Sequence, residues 1–193
     1  MNYEDIIKTI ENDVEKELHR RIFGISTDKK YRKFILKNNI TGEYKFKPVK
    51  LVTKDKNVYF IRPWTKGKSD FRKYGLLYTF YMIYHLKDGY HACMICDSNM
   101  LIRRKESSFA FFTPHVFKRY CERFKKTDDI TVDMIHRFID DNSTITSQPF
   151  IKKKYKGIGR YGYSHNGVFI GSRINDRAIE FRTFITKDML REN

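Results

Sequence analysis

No stretch of the 193-residue chain stays apolar for the length a membrane helix needs, so a spanning segment is not expected. The opening residues, Met1-Asn2-Tyr3-Glu4-Asp5, lack the basic and apolar regions of a secretory signal, and the expectation is a soluble, cytoplasmic protein. Cysteine is scarce and odd in number, with Cys93, Cys96 and Cys121 alone. That argues against a disulfide framework. Cys93-Met-Ile-Cys96 has CxxC spacing but lies in an apolar, strand-like run with no second CxxC. Core cysteines are the better reading, and a zinc site of His91, Cys93, Cys96 and Cys121 is the weaker one. The sequence has no P-loop, no dinucleotide fingerprint and no glycine-framed nucleophile elbow. It also lacks the converging carboxylates of a metal-dependent nuclease, since Glu180, Asp176 and Asp188 form no such motif. Neither a metal nor an organic cofactor is expected. With no internal repeat and no low-complexity linker, residues 1–193 read as a single compact domain.

Acidic residues are the other shortage. Asp and Glu number 23 against 39 Lys and Arg, a formal net charge of +16. The surplus is uneven. Residues 1–26 carry four basic and six acidic groups, whereas residues 27–75 carry fifteen and four, a local surplus of +11. A surplus of this size favours a polyanionic partner, bound with an affinity that falls with salt. The basic stretches are interleaved with aromatic residues and form no basic amphipathic helix, which favours nucleic acid over a membrane surface.

With 40% hydrophobic residues, among them 16 Phe and 13 Tyr, the chain can build a sizeable core. Tyr3, Ile6, Ile7, Ile10, Val14, Leu18 and Ile22 recur at helical spacing, and Gly24 supplies a stop, so residues 1–24 read as an amphipathic helical appendage. That helix could dock a protein partner, such as an antitoxin. A basic helical piece follows over residues 28–37. The period then changes to two: Tyr44 and Phe46 alternate with Lys45 and Lys47, and a turn at residues 54–57 leads into Val58-Tyr59-Phe60-Ile61. Residues 63–69, with proline, glycine and the only tryptophan, read as a loop. Residues 76–86 and 90–96 flank Lys87-Asp88-Gly89 and read as a central hairpin. A helix from Thr113, a second over residues 131–140, and strands at 168–174 and 178–185 complete an α+β chain: N-terminal helix, central antiparallel hairpins, two helices, then a small antiparallel sheet.

The chemistry concentrates in Thr113-Pro-His-Val-Phe-Lys-Arg-Tyr-Cys-Glu-Arg-Phe124. Read as a helix with Thr113 as N-cap and Pro114 in its first turn, it puts His115, Arg119 and Arg123 within roughly 80° of one face. Val116, Phe117, Tyr120 and Phe124 form the anchoring stripe. A histidine beside guanidinium groups can move a proton and hold a phosphate; a basic solvated face is the plainer alternative. Further basic candidates for a nucleic-acid surface are Lys152, Lys153, Lys154, Arg173 and Arg182. Ile179, Phe181, Thr183 and Ile185 are expected on one face of the last strand, and Glu180, Arg182 and Phe184 on the other.

Pro114-His115-x-x-x-Arg119-Tyr120-x-x-Arg123, followed by a small sheet, resembles the toxin-type ribonucleases, the broad group that contains barnase, EndoU, the tRNA-cleaving colicins and RelE. The resemblance covers residues 109–187, and Val116 stands where a small residue is usual. It implies metal-independent cleavage of RNA, including structured RNA such as tRNA, by attack of the 2′-hydroxyl on the adjacent phosphate. In that scheme His115 is the acid or base, Arg119 the phosphate clamp, Arg123 a flanking contact, and Tyr120 or His165 the second proton-transfer group. The rival readings are a non-catalytic RNA- or DNA-binding protein and a partner-docking interaction protein.

Overall fold

The computed structural model describes residues 2–96, 107–125, 129–150 and 159–191. The chain is α+β and divides into two compact units, Met1–Met82 with Ile95–Ser107 and Ile83–Met94 with Ser108–Asn193.

In the first unit helix α1 runs over Tyr3–Asp13, widens into a π-helical Val14–Leu18 and resumes as His19–Thr27. Asn2 caps it, with the reciprocal Asp5 contact of a capping box. Gly24 does not stop this helix. It lies within the last turns, which end at Asp28, and the Asp28 side chain caps α2 (Lys29–Lys37) through the Lys30 N–H. Ile6, Ile10, Leu18 and Ile22 are buried, as the helical spacing predicts. The helix is built into its unit rather than appended to it. Buried Asp13 accepts from the Tyr59 hydroxyl at 2.7 Å and from Asn57 Nδ2 at 2.9 Å, and Glu17 accepts from the Lys54 N–H at 3.2 Å.

Strands β1 (Tyr44–Lys45) and β2 (Val49–Val52) pair with opposite ends of one edge of β3 (Val58–Thr65), and β4 (Leu77–Leu86) pairs with its other edge, all antiparallel. The loop expected over residues 63–69 is therefore a strand end followed by helix α3 (Lys68–Tyr74). Pro63 is tolerated because its carbonyl accepts from the Phe46 N–H, which places its missing N–H on the same edge. That position falls between the rungs to β2, ending at Ile61, and those to β1, starting at Trp64.

In the second unit, strand β6 (Ser108–Phe112) lies beside β10 (Ala178–Thr186), followed in order by β9 (Gly167–Asn175), β8 (Gly159–Tyr163) and β7 (Thr146–Phe150). The β7–β10 meander is antiparallel, as expected. β6 was not legible as a strand: Phe109-Ala-Phe-Phe112 is apolar on both faces and pairs parallel with β10, the pattern of a strand covered on both sides. β5 (Gly89–Cys96) precedes it in the chain, and the Lys87-Asp88 turn joins β4 to β5 as predicted. Helix α4 (Pro114–Tyr120) continues into a π-helical Cys121–Lys125, and α5 (Val132–Asp141) is capped by Thr131 Oγ1, which accepts from the Met134 N–H at 3.2 Å. A short helix, α6 (Lys187–Arg191), follows β10.

The core of this unit is aromatic. Phe112, Phe138, Phe169, Phe181 and Phe184 touch one another at centroid distances of 4.8–5.7 Å. Each fully buried ring of this kind contributes roughly 2–3 kcal/mol of transfer free energy. The strict alternation expected for β10 does not hold. A register shift between Phe181 and Thr183 leaves Arg182 as the extra residue of a bulge, so Phe181 and Phe184 both reach the core. Gly171, opposite Phe181, lets the strands close up there: a Cβ on it would lie 1.9 Å from the Glu180 carbonyl oxygen.

Candidate functional site

Helix α4 is tied at its start to β10. Its N-cap Thr113 donates its N–H to the Phe181 carbonyl at 3.3 Å, so the chain leaves β6 and enters the helix beside the centre of β10. Pro114 occupies the first turn, as expected. Thr113 has N-cap backbone angles, but its buried hydroxyl makes no capping bond, and the Val116 N–H donates to the Thr113 carbonyl at 3.0 Å instead. Val116, Phe117 and Tyr120 are buried, with Phe117 and Tyr120 against Phe138 and Tyr120 also against Phe184. The anchoring stripe is thus the predicted one, and it leaves His115 and Lys118 exposed and Arg119 half-exposed.

His115 and Arg119 meet. Arg119 Nε donates towards His115 Nε2 at 3.4 Å, and the other arm of the guanidinium, Nη1, reaches Glu122 Oε2 at 2.8 Å. The first contact is long for a hydrogen bond. Arg123 lies one turn further on, in the π-helical stretch, close enough to Arg119 for the two charges to repel. Its Nη1 is buried without a partner among the described residues. Burial and then the neighbouring Arg119 charge hold the Arg123 guanidinium below its ordinary value, with Glu122 acting the other way.

Among the described residues, none of the other candidates has a hydrogen bond or ion pair with His115. Tyr120 faces inward, and its hydroxyl donates to the Asp141 carboxylate. Burial first, and that carboxylate second, push its ionisation well above the usual tyrosine range. The Asp141 carbonyl in turn accepts from Asn166 Nδ2 at 3.4 Å, which ties the turn holding exposed His165 to the end of α5. Arg173 is committed to its own β-turn, donating to the Asn175 carbonyl at 3.0 Å and pairing with Asp176. Through Ile179 it stands level with Ala110, early in β6, whereas His115 follows the end of that strand. Arg182 pairs with Glu180, a residue of the sheet face opposite buried Phe181 and hence opposite α4. Lys152, Lys153 and Lys154 lie outside the described residues.

Cys93 and Cys121 are buried and Cys96 is half-buried, and none of the three is in a disulfide. The His91 ring contacts Asp88 Oδ1 through Nε2 at 2.9 Å. Among the described residues no three His, Cys, Asp or Glu side chains gather as a metal site. None of the described helices is long and apolar enough to cross a membrane.

Sequence reasoning left one group unjoined. Tyr31 and Phe34 from α2 meet Tyr44 and Phe46 around a lysine-rimmed cavity in the first unit. The signal was the Tyr44-Lys-Phe-Lys47 alternation, but its partner rings come from a helix ten residues earlier, and only tertiary packing unites them. No protein-family model matches this sequence, and no curated protein or solved structure matches it.

Proposed function

We propose that this chain acts on nucleic acid and that His115 with Arg119 is its phosphate-facing site. The observation that carries the reading is the exposed imidazole with a guanidinium Nε 3.4 Å from its Nε2, on a helix anchored to a rigid aromatic core, in a chain of net charge +16. The reaction this pair suits is metal-independent cleavage of RNA. As the phosphate draws the Arg119 guanidinium off His115 Nε2, that nitrogen takes the proton of a 2′-hydroxyl whose oxygen attacks the adjacent phosphorus. Arg119 stabilises the charge that develops on the phosphoryl oxygens. The 5′-oxygen of the next nucleotide leaves, and its proton comes from water or a second acid.

A second reading, in which the pair only contacts phosphate, is favoured by the Arg119–Glu122 ion pair. It divides the guanidinium between substrate and carboxylate. The inward-facing Tyr120 supports it too, since that hydroxyl is engaged with Asp141. The two readings separate in one experiment. Purified protein at micromolar concentration is mixed with total RNA and tRNA in EDTA, and the products are followed on denaturing and native gels. Cleavage lost on His115→Ala supports the enzyme. Retarded but intact RNA leaves the binding protein, and RNA neither cut nor retarded overturns the proposal.

A further inference from the structure

The first unit carries an aromatic cavity that the His115 site does not use. Tyr31, Phe34, Tyr44 and Phe46 form a cluster with centroid separations of 4.8 Å (Tyr31–Phe46), 4.9 Å (Tyr44–Phe46), 5.1 Å (Phe34–Tyr44) and 5.5 Å (Phe34–Phe46). Tyr31 is buried and acts as the floor, while Phe34 and Tyr44 are each 36% exposed. Rings this large leave water poorly bound over their faces, and exposing two of them side by side costs free energy that a stacked ligand would recover. The cavity they border measures about 510 Å³, within the range of small-molecule sites.

Lysines complete the wall. Lys30, Lys45 and Lys47 line the same cavity. Lys30 pairs with Asp28 at 3.0 Å and rests over the Tyr31 ring, its Nζ 4.9 Å from the centroid; Lys45 pairs with Glu43 at 3.0 Å. Lys47 is exposed. The surrounding segment, residues 27–75, has fifteen basic and four acidic side chains. An apolar ligand has no use for that rim, and a simple anion has none for the rings. The ligand that uses both is flat, aromatic and joined to phosphate.

We propose that this cavity binds a nucleotide unit, its base stacked against Phe34 and Tyr44 and its phosphate met by Lys47 and its neighbouring lysines. This deepens the nucleic-acid reading and rests on it for the source of the ligand, a single strand threading past the cavity. A free nucleotide offers the same chemistry. Stacking on an aromatic side chain is worth roughly 1–3 kcal/mol per base, so removing one ring weakens binding on the order of tenfold to a hundredfold. Because stacking is uncharged, the salt dependence is unchanged; removing Lys47 instead lowers the salt slope by about one.

The test uses the full chain and a fluorescent single-stranded oligouridylate of roughly ten nucleotides, long enough to cover one such site. Anisotropy is read for wild type, Phe34→Ala, Tyr44→Ala, Phe34→Trp and Lys47→Ala, with thermal unfolding confirming that each is folded. UMP is titrated in parallel by NMR, and polyglutamate serves as a polyanion without rings. The expected result is weakened strand binding in both alanine ring variants, retained binding in Phe34→Trp, and a lower salt slope in Lys47→Ala. If Phe34→Ala does not fold, Tyr44→Ala and Lys47→Ala carry the comparison. UMP binding that is lost in Tyr44→Ala, with no strand bound, would keep the cavity as a free-nucleotide site while the proposed function falls. Strand binding unaltered in the ring variants, or displaced equally by polyglutamate, overturns the cavity proposal and leaves the proposed function standing. Wild type that binds neither probe overturns both.

Discussion

The Arg119 guanidinium is divided between His115 and Glu122, with Nε 3.4 Å from the imidazole Nε2 and Nη1 2.8 Å from the carboxylate Oε2. Glu122 therefore steadies Arg119 and also neutralises part of the charge it can offer a phosphate. Glu122→Gln keeps a hydrogen-bond acceptor and removes the negative charge. It is expected to tighten RNA binding by about threefold to tenfold at low salt, an effect that shrinks as salt screens the site. Anisotropy titrations at two salt concentrations measure it, and unchanged or weaker binding would count against Arg119 as a phosphate contact.

Tyr120 makes an alkaline prediction. Burial and the Asp141 carboxylate raise its ionisation in the folded protein above the ordinary tyrosine value. The folded state therefore keeps this proton at a pH where the unfolded chain loses it. The stabilisation is fully present below about pH 10 and is lost as pH rises through the folded-state value. Tyr120→Phe is expected to cost about 1 kcal/mol at neutral pH through the lost hydrogen bond, and less above pH 10. Denaturant unfolding across pH 8–11 checks it; curves that run parallel throughout would contradict the assignment.

Tyr59→Phe addresses the N-terminal helix. Asp13 is buried and accepts from the Tyr59 hydroxyl at 2.7 Å and from Asn57 Nδ2 at 2.9 Å. Removing the hydroxyl leaves a buried carboxylate short of a partner, with an expected loss of about 1–3 kcal/mol in urea unfolding. A loss under a few tenths would mean that α1 is not held by this bond.

Gly171→Ala tests the close approach of β9 to β10. The new methyl carbon would stand 1.9 Å from the Glu180 carbonyl oxygen, a backbone atom that cannot swing aside. Strand separation next to the Arg182 bulge is the only relief, and a destabilisation of about 3 kcal/mol is expected. Thermal unfolding of the variant measures it.

Periodic features were legible in the sequence. The apolar stripes of α1 and α4, the Thr131 cap and the Lys87-Asp88 turn depend on residues close together in the chain, and each is where spacing put it. What escaped depends on distant partners. Phe109–Phe112 carries no alternation because both its faces are covered, and only its place between neighbouring strands of the sheet makes it a strand. The bulge at Arg182 arises from fitting β10 to β9, and it moves Phe184 to the face where alternation would not place it. Pro63 reads as a loop residue until one sees which edge of β3 it leaves unbonded. For the site, helical spacing was enough to bring His115 to Arg119. It did not show the π-helical turn that carries Arg123 or the burial of its Nη1, and it had no means of joining α4 to residues of the sheet.

The most direct measurement is of the ends left on RNA. Attack by the 2′-hydroxyl with His115 as base leaves a 2′,3′-cyclic phosphate on the upstream fragment and a 5′-hydroxyl on the downstream one. Incubating a defined RNA with wild type, His115→Ala and Arg119→Ala in EDTA, and analysing fragment ends by mass spectrometry, reads this chemistry. The account predicts cyclic phosphate ends from wild type, with the rate reduced at least 100-fold in each folded variant. Intact RNA with wild type, or cutting at the wild-type rate by His115→Ala, would contradict it.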